Sequence, residues 1–198
     1  MSRRAEQAEQ TRRAILRSAR RLFAEKGYAR TTVREVAEAA GVSAQTVYDS
    51  VGSKQALVAR LNDLIDEEAG IGSIVAASMT AGDAATLART QARITRAILE
   101  HCGDIVHALV TGAASEPELA AVLHEGHRRH VEGAAQVVRA LQERGALAEG
   151  VDVAEAGATL AVVSDLQVAL AMRETYGWSL DRIEAWIAET SARLLLRT

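Results

Sequence analysis

The chain has 198 residues, of which 48% are hydrophobic and 25% charged, a composition typical of a folded globular protein. Its single cysteine, Cys102, excludes an intrachain disulfide and a thiolate metal site. The few aromatic residues, one Phe, three Tyr and two Trp, argue against a platform that stacks single-stranded bases. Residues 1–13 are polar and no run of about 20 apolar residues occurs, so we expect a cytoplasmic protein without a membrane partner.

Charge is distributed unevenly along the chain. Residues 1–60 hold twelve Lys and Arg against six Asp and Glu, a formal charge of +6, whereas residues 61–198 carry −9. A basic segment joined to an acidic body is typical of a protein of which one part contacts phosphate. Basic helix faces are also often merely solvated, so charge alone leaves nucleic-acid binding open.

Apolar residues in the first part of the chain recur at helical spacing. The pattern predicts helices over about 10–26, 33–40, 44–50 and 54–68, with residues 70–82 as a loop or weak helix. Thr32 and Glu35 form a capping box before the second helix, and Ser43 and Ser53 can cap the third and fourth.

The acidic remainder continues in the same way. Helices are predicted over about 83–101, 104–113, 116–144, 153–176 and 180–196. Ser115 with Glu118 and Asp152 with Glu155 are capping-box pairs. No segment alternates as a strand would, so the sequence predicts an all-α protein.

Residues 33–51 read VREVAEAAGVSAQTVYDSV, which predicts two short helices around a tight turn at Gly41. In a helix-turn-helix the second helix enters the major groove N-terminus first, so Ala44, Gln45 and Thr46 would face base edges. Helical hairpins containing glycine also occur as plain structure. The pattern alone therefore does not decide the function.

Residues 14–58 resemble the DNA-binding head of the tetracycline-repressor (TetR) family of bacterial regulators. The matching residues are Phe23, Gly27, Tyr28, Thr31, Thr32, Ala37, Ala40, Gly41, Val42, Tyr48, Ser53, Lys54 and Leu57. Residues 177–196 are similar to the last helix of many members. Ser50 and Val51 depart from the family pattern, in which His or Tyr and then Phe are frequent, although a serine can still donate to phosphate.

The resemblance implies a ligand-responsive repressor that binds palindromic operator DNA as a homodimer and is released by a small molecule. It implies phosphate contacts from Thr32, Tyr48 and Lys54 and base reading by residues of the two short helices. The residues predicted to contact DNA are Thr32, Arg34, Ser43, Ala44, Gln45, Thr46, Tyr48, Ser50 and Lys54. The predicted domains are a three-helix DNA-binding head over 1–52, a connecting helix over 53–69 and a helical effector-binding and dimerisation bundle over 70–198.

Two predicted helices near the C-terminus carry small and branched residues along one face. The resemblance implies that the last two helices of each subunit form the dimer interface, and a dimer would reach two half-sites about 34–36 Å apart. The same stripes would also suit a core within one chain. The residues predicted for the interface are Leu160, Ser164, Val168, Ile183, Trp186, Ile187, Thr190 and Leu194.

A small-molecule pocket is expected from the resemblance and from polar residues set into apolar helix faces. Each of these residues is also common as a satisfied core or surface group. The scarcity of aromatic residues disfavours a ring cage around a planar cation, so an aliphatic, acyl or small amphipathic ligand fits better. The residues predicted to bind the effector are His107, Thr111, His127, His130, Gln167 and Leu170.

Other chemistries have little support in the sequence. His124, His127 and His130 fan around one helix, and no carboxylate or cysteine spacing completes a metal site. Paired Glu-x-x-His motifs and a G-x-S-x-G nucleophile turn are both missing, so no cofactor, no metal and no catalytic residue is predicted. The alternative function is a DNA-binding regulator without an effector, controlled by a protein partner or by its abundance.

Overall fold

The computed structural model describes residues 3–197, which form α-helices joined by short turns. The helices are α1 (Arg3–Lys26), α2 (Val33–Ala39), α3 (Ala44–Ser50), α4 (Lys54–Ala59), α5 (Leu61–Glu68), α6 (Ile71–Ala81), α7 (Ala84–Ala88), α8 (Thr90–Gly112), α9 (Pro117–Glu143), α10 (Val153–Val163), α11 (Leu166–Glu174) and α12 (Leu180–Leu195). Extended pairing within residues 3–197 is confined to an isolated antiparallel bridge between Leu147 and Leu196. The predicted all-α class is confirmed, while residues 1, 2 and 198, which bound the predicted domains, lie outside the described residues.

The helices divide into two compact units. The N-terminal unit contains residues 3–64 and 104–125, and the C-terminal unit contains residues 65–103 and 126–197. The N-terminal unit therefore includes, besides the first helices, the last residues of α8 and the first residues of α9.

In the N-terminal unit, α1 packs on α2 and α3 through the predicted apolar stripe, of which Ile15, Ala19 and Phe23 are buried. Each large side chain buried in this way contributes roughly 1.5–3 kcal/mol. The helix begins at Arg3, seven residues before the predicted start near Gln10. Residues 3–10 are exposed, so no apolar periodicity marks this part of the helix in the sequence.

Four of the five predicted helix caps are confirmed. The side chains of Thr32, Ser43, Ser53 and Asp152 each accept a hydrogen bond from the backbone N–H three residues later. The prediction for Ser115 is wrong, because its hydroxyl donates to the carbonyl oxygen of Gly112 at 3.3 Å. Ser115 thus completes the turn after α8 instead of capping α9.

Several predicted helix boundaries are wrong. The uncharged segment predicted as a loop or weak helix is helix α6, in which apolar and small polar residues are mixed around the helix and show little helical periodicity. The segments predicted as 83–101 and 104–113 are α7 and the continuous helix α8, in which Gly103 does not end the helix. The predicted fourth helix bends at Arg60 and the predicted helix 153–176 breaks at Ser164.

The break at Ser164 has a local cause. Asp165 has extended backbone angles, and its carboxylate accepts hydrogen bonds from the N–H groups of Gln167 and Val168. An aspartate in this role starts a new helix, so α11 begins where the apolar pattern alone indicated continuation. Among the described residues, Val153–Glu174 has the length and mean hydropathy, 1.4, of a membrane span. A core helix passes the same test, so this is weak evidence for a membrane.

The core of the C-terminal unit is formed by α7, α9, α10 and α12. Its fully buried side chains include Leu87 of α7, Leu141 of α9, Leu160 of α10 and Leu195 of α12. At Gly157, α10 is in contact with α9, and a Cβ at this glycine would lie at an ordinary van der Waals distance of 3.5 Å from the Cα of Ala135.

Candidate nucleic-acid interface

The turn between α2 and α3 fixes the two helices against each other. Gly41 has a φ of +68°, in the left-handed region where any other residue is strained by about 1 kcal/mol or more. The N–H of Gly41 donates to the carbonyl of Glu38, and that of Val42 donates to Ala37, which closes a Schellman motif. Val36 and Val47 are buried beneath the turn, so α3 is held rigidly on α2.

The outer face of α3 is open to solvent. Gln45 is exposed, Ala44, Thr46 and Ser50 are half-buried, and the Tyr48 side chain is 53% exposed. A large aromatic side chain that is exposed on a short polar helix fits a contact surface better than a core. The structure therefore leaves the predicted groove-reading residues accessible.

Hydrogen bonds order this face before any ligand binds. The Ser43 hydroxyl accepts from the backbone N–H of Thr46 at 3.0 Å and lies 2.8 Å from the Thr46 hydroxyl. Gln45 donates through Nε2 to Oδ1 of Asp49 at 2.8 Å. Asp49, which the sequence did not single out, thus belongs to this face; its spacing of four residues from Gln45 on a predicted helix was the signal that could have found it.

Thr32 is fully used in the capping box of α2. Its backbone N–H and its hydroxyl both donate to Glu35 Oε2, at 2.8 and 3.0 Å, while its hydroxyl accepts from the Glu35 N–H. Glu35 Oε1 also accepts from Lys26 Nζ at 2.9 Å. The Lys26 hydrogen bond, with those from Thr32, lowers the pKa of the Glu35 carboxyl to about 2. A phosphate contact from Thr32 would have to replace one of these hydrogen bonds.

The remaining predicted DNA contacts are cationic. Arg34 projects from α2 as an exposed side chain. Lys54 is half-buried at the start of α4, where its Nζ lies 4.0 Å from the centre of the Tyr28 ring and donates to the carbonyl of Ala29 at 3.4 Å. An ammonium group has three N–H donors, so Lys54 keeps donors that can reach a phosphate.

Basic residues of α1 extend the cationic surface beyond the predicted set. Arg13, Arg17 and Arg21 are exposed at spacings of four residues, opposite the buried stripe of the same helix. Their spacing was visible in the sequence, but a solvated helix face has the same pattern.

The predicted effector residues fall in different units. His107 and Thr111 lie in the N-terminal unit, both exposed, beside a cavity of about 350 Å³ that Phe23, Tyr28 and Leu119 also line. The other predicted residues, His127, His130, Gln167 and Leu170, lie in the C-terminal unit. Gln167 is exposed and Leu170 is buried.

His130 has hydrogen-bond partners within its own unit. Its Nε2 lies 2.9 Å from the carbonyl oxygen of Ala161 and 3.3 Å from the hydroxyl of Ser164, which itself donates to Leu160 at 2.6 Å. Both partners accept, so Nε2 carries the proton of the neutral ring. Burial lowers the pKa of His130, whereas the hydrogen bond to Ala161 and the charge of Asp165 partly oppose this shift. His130 is therefore neutral near pH 7.

The residues predicted for the dimer interface fall into a buried group and an exposed or half-buried group. Leu160, Ser164, Ile183 and Ile187 are buried inside the chain, as in the alternative interpretation of the stripes as a core. Val168 of α11 and Trp186, Thr190 and Leu194 of α12 are exposed or half-buried. The sequence missed two exposed apolar side chains nearby, Val162 and Tyr176. The break at Ser164 changes which face of the segment points inward, and the apolar pattern gave no sign of it.

Comparisons with known proteins agree with this architecture. The family model described as bacterial regulatory proteins, tetR family, matches residues 15–61. The HTH-type transcriptional regulator TtgR of Pseudomonas putida is 40% identical over 62 residues, which cover 31% of this chain and 30% of TtgR. The match thus spans less than a third of that relative.

Solved structures extend the likeness to almost the whole chain. The complex of SmeT, a multidrug efflux pump repressor of Stenotrophomonas maltophilia, with triclosan has a TM-score of 0.73 at 20% identity and covers 95% of this chain and 92% of SmeT. A regulator from Saccharomonospora viridis in complex with choline has a TM-score of 0.72 at 19% identity, covering 96% and 100%. None of these three proteins is named as an enzyme. Residues 15–61 are thus similar in sequence to the tetR family of bacterial regulatory proteins, and the chain shares its fold with SmeT and the Saccharomonospora viridis regulator.

Proposed function

We propose that this protein is a ligand-responsive repressor that binds palindromic operator DNA in the cytoplasm. The observation that carries the proposal is the exposed face of α3, held by a buried helix-turn-helix core and flanked by Arg34 and Lys54. An α-helix with this exposure fits the major groove of B-DNA, where every base pair presents a distinct pattern of donors and acceptors. The flanking cations supply the salt-dependent part of the affinity.

The proposed operator-binding form is a homodimer. One recognition helix reads few base pairs, whereas a twofold dimer reads two half-sites. Exposed apolar side chains at Val162, Val168 and Leu194, which are 68%, 41% and 49% exposed, offer contact area to a second copy, with Trp186 and Thr190 half-buried nearby on α12. Leu160, Ser164, Ile183 and Ile187 would then support these helices from the inside.

A small amphipathic effector is proposed for the C-terminal unit. SmeT in complex with triclosan and the Saccharomonospora viridis regulator in complex with choline share the fold. His127, His130, Gln167 and Leu170 are the candidate ligand contacts in this unit, and His107 and Thr111 remain candidates in the other. The effector can lower the affinity for DNA by no more than the ratio of its own affinities for the released and the DNA-binding conformation.

The proposed lever is the segment 53–68, which forms α4 and α5. Within the N-terminal unit this segment is attached to α9 by two hydrogen bonds. Gln55 donates to Glu118 at 2.9 Å, and the buried Asn62 amide donates to the carbonyl of Val122 at 2.8 Å. A shift of α9 would therefore be transmitted to the helices that follow the recognition helix.

The test is footprinting on DNA that flanks the gene, followed by binding titrations of Lys54→Ala and Gln45→Ala over a range of salt concentrations. Lys54→Ala should weaken binding to all sequences and reduce the slope of log affinity against log salt by about one. Gln45→Ala should change the preferred sequence instead. Arg139→Ala, at an exposed cation of α9 in the C-terminal unit, is the matched control and should change neither.

The alternative is a DNA-binding regulator controlled by a protein partner or by its abundance. A screen for compounds that release the footprinted DNA separates the two functions. Release by a small molecule at micromolar concentration supports the effector; a DNA-binding protein that no compound releases and that a purified partner displaces supports the alternative.

A further inference from the structure

Asp49 places a negative charge at an electrostatically unfavourable position of α3. It is the acidic residue of α3, it is exposed, and it is the last residue but one of the helix. A negative charge near a helix C-terminus is unfavourable, and a carboxylate on a helix that enters the groove is repelled by phosphates. The side chain therefore has a cost both for the helix and for DNA affinity.

The contact of Asp49 with Gln45 fixes the orientation of an amide. Gln45 Nε2 donates to Asp49 Oδ1 at 2.8 Å, across one turn of the helix. A carboxylate can only accept hydrogen bonds, so the NH₂ group of the amide must face Asp49. The Gln45 carbonyl oxygen consequently points away from Asp49 in every molecule in which this hydrogen bond is present.

An amide held in this way offers one particular edge to DNA. One N–H of Gln45 is used by Asp49, which leaves the second N–H and the carbonyl oxygen. Adenine presents N7 as an acceptor and N6–H as a donor, which match that pair. Guanine presents two acceptors, N7 and O6, so the fixed carbonyl oxygen would meet another acceptor.

We propose that Asp49 is a positioning residue that orients Gln45 to select adenine at one position of each half-site. This inference rests on the proposed function, because it requires α3 to lie in the major groove. Asp49 itself need not touch DNA. Its contribution is selectivity, gained at the expense of affinity.

The test is selection of binding sites from a library of random duplexes by the full-length protein and three variants. Wild type should enrich adenine at one position of each half-site, and Gln45→Ala should lower that preference by about fivefold or more. Asp49→Ala should lower the preference at the same position by about three- to tenfold, since the amide is free to turn over. Asp49→Asn, whose carbonyl can still accept, should keep the preference within about twofold while raising affinity for all sequences.

The outcomes are distinguishable. Failure of wild type to enrich any sequence would contradict the proposed function itself. If wild type enriches a site but Asp49→Ala selects the same bases with equal preference, the positioning role is wrong. A change at a different position from that affected by Gln45→Ala would mean that Asp49 contacts a base directly, which also overturns the proposal. Because Asp49 is exposed, unchanged circular dichroism is expected for both Asp49 variants, and neither variant should unfold more easily than wild type.

Discussion

The Lys54 ammonium lies 4.0 Å from the centre of the Tyr28 ring, at the first residue of α4. Tyr28 is buried and makes an edge contact with Phe23, with ring centres 5.4 Å apart. The ring is thus a fixed support, and the cation above it has less freedom than an exposed lysine. Tyr28 and Lys54 are both part of the family pattern, and their contact gives a physical reason for them to act together.

Removing the aromatic ring should weaken DNA binding through Lys54. Tyr28→Leu is expected to reduce affinity by about two- to fivefold, because the cation–π attraction that positions the ammonium is lost. Tyr28→Phe keeps the ring and serves as the control. In a Lys54→Ala background Tyr28→Leu should have no further effect on affinity at a temperature where all variants are folded. An equal effect in both backgrounds would show that Tyr28 acts independently of Lys54.

The capping box of α2 should make stability depend on acid. The pKa of Glu35 is lowered from 4.5 to about 2, so the folded state favours the charged form. Its contribution is therefore complete above about pH 4.5 and is lost as the pH falls toward 2. In urea unfolding, the free energy of unfolding of wild type should exceed that of Glu35→Gln above about pH 4.5, and this difference should disappear as the pH falls toward 2. Glu38→Gln on the same helix is the matched control, and parallel curves for wild type and Glu35→Gln would contradict the prediction.

His130 should also make the free energy of unfolding depend on pH, but at higher pH than Glu35 does. Burial lowers its pKa below the usual 6.5, so the unfolded chain takes up the proton first. The free energy of unfolding should fall as the pH decreases below about 6.5, until the lowered pKa is reached. His130→Gln should reduce this dependence, whereas His124→Gln, at an exposed position of α9, should not. A pH dependence that is the same in wild type and His130→Gln would disprove the effect.

The two side-chain hydrogen bonds to α9 should contribute differently to the free energy of unfolding, because only that of Asn62 is buried. Asn62→Ala removes a buried hydrogen bond to the carbonyl of Val122, which keeps its donor within α9, and should cost about 0.5–1.5 kcal/mol of unfolding free energy. Gln55→Ala removes an exposed amide from Glu118 and should cost less than about 0.5 kcal/mol. Equal costs in chemical denaturation would mean that burial is not the deciding factor.

Local signals made helices α2 to α4 of the N-terminal unit predictable. Thr32, Ser43 and Ser53 are caps because their hydroxyls accept from a backbone N–H three residues away, a relation that the sequence itself contains. Gly41 likewise marks a turn that requires a positive φ. The helix-turn-helix could therefore be located from its residues, whereas the DNA contacts of its side chains are implied by the family resemblance and stay predictions.

The C-terminal unit depends on tertiary packing that periodicity does not encode. Val162 and Leu160 lie about 200° apart around α10, and because both faces of this helix are apolar, the sequence does not indicate which face is buried. The structure buries Leu160 and leaves Val162 68% exposed. Likewise, His130 looked like a ligand group on an apolar stripe, but the structure gives its Nε2 two acceptors from a neighbouring helix and the turn that follows it. Such partners are distant in sequence, and neither spacing nor composition indicates them.

Photochemical cross-linking from position 45 tests the central claim most directly. Cys102 is buried, so Gln45→Cys can be labelled selectively with a photoreactive aryl azide, with Glu149→Cys at an exposed site of the C-terminal unit as the control. On irradiation with the footprinted duplex, position 45 should form a covalent adduct with DNA and position 149 should not. Equal adducts from both positions, or none from position 45 while the labelled protein still retains the duplex, would contradict the placement of α3 in the groove.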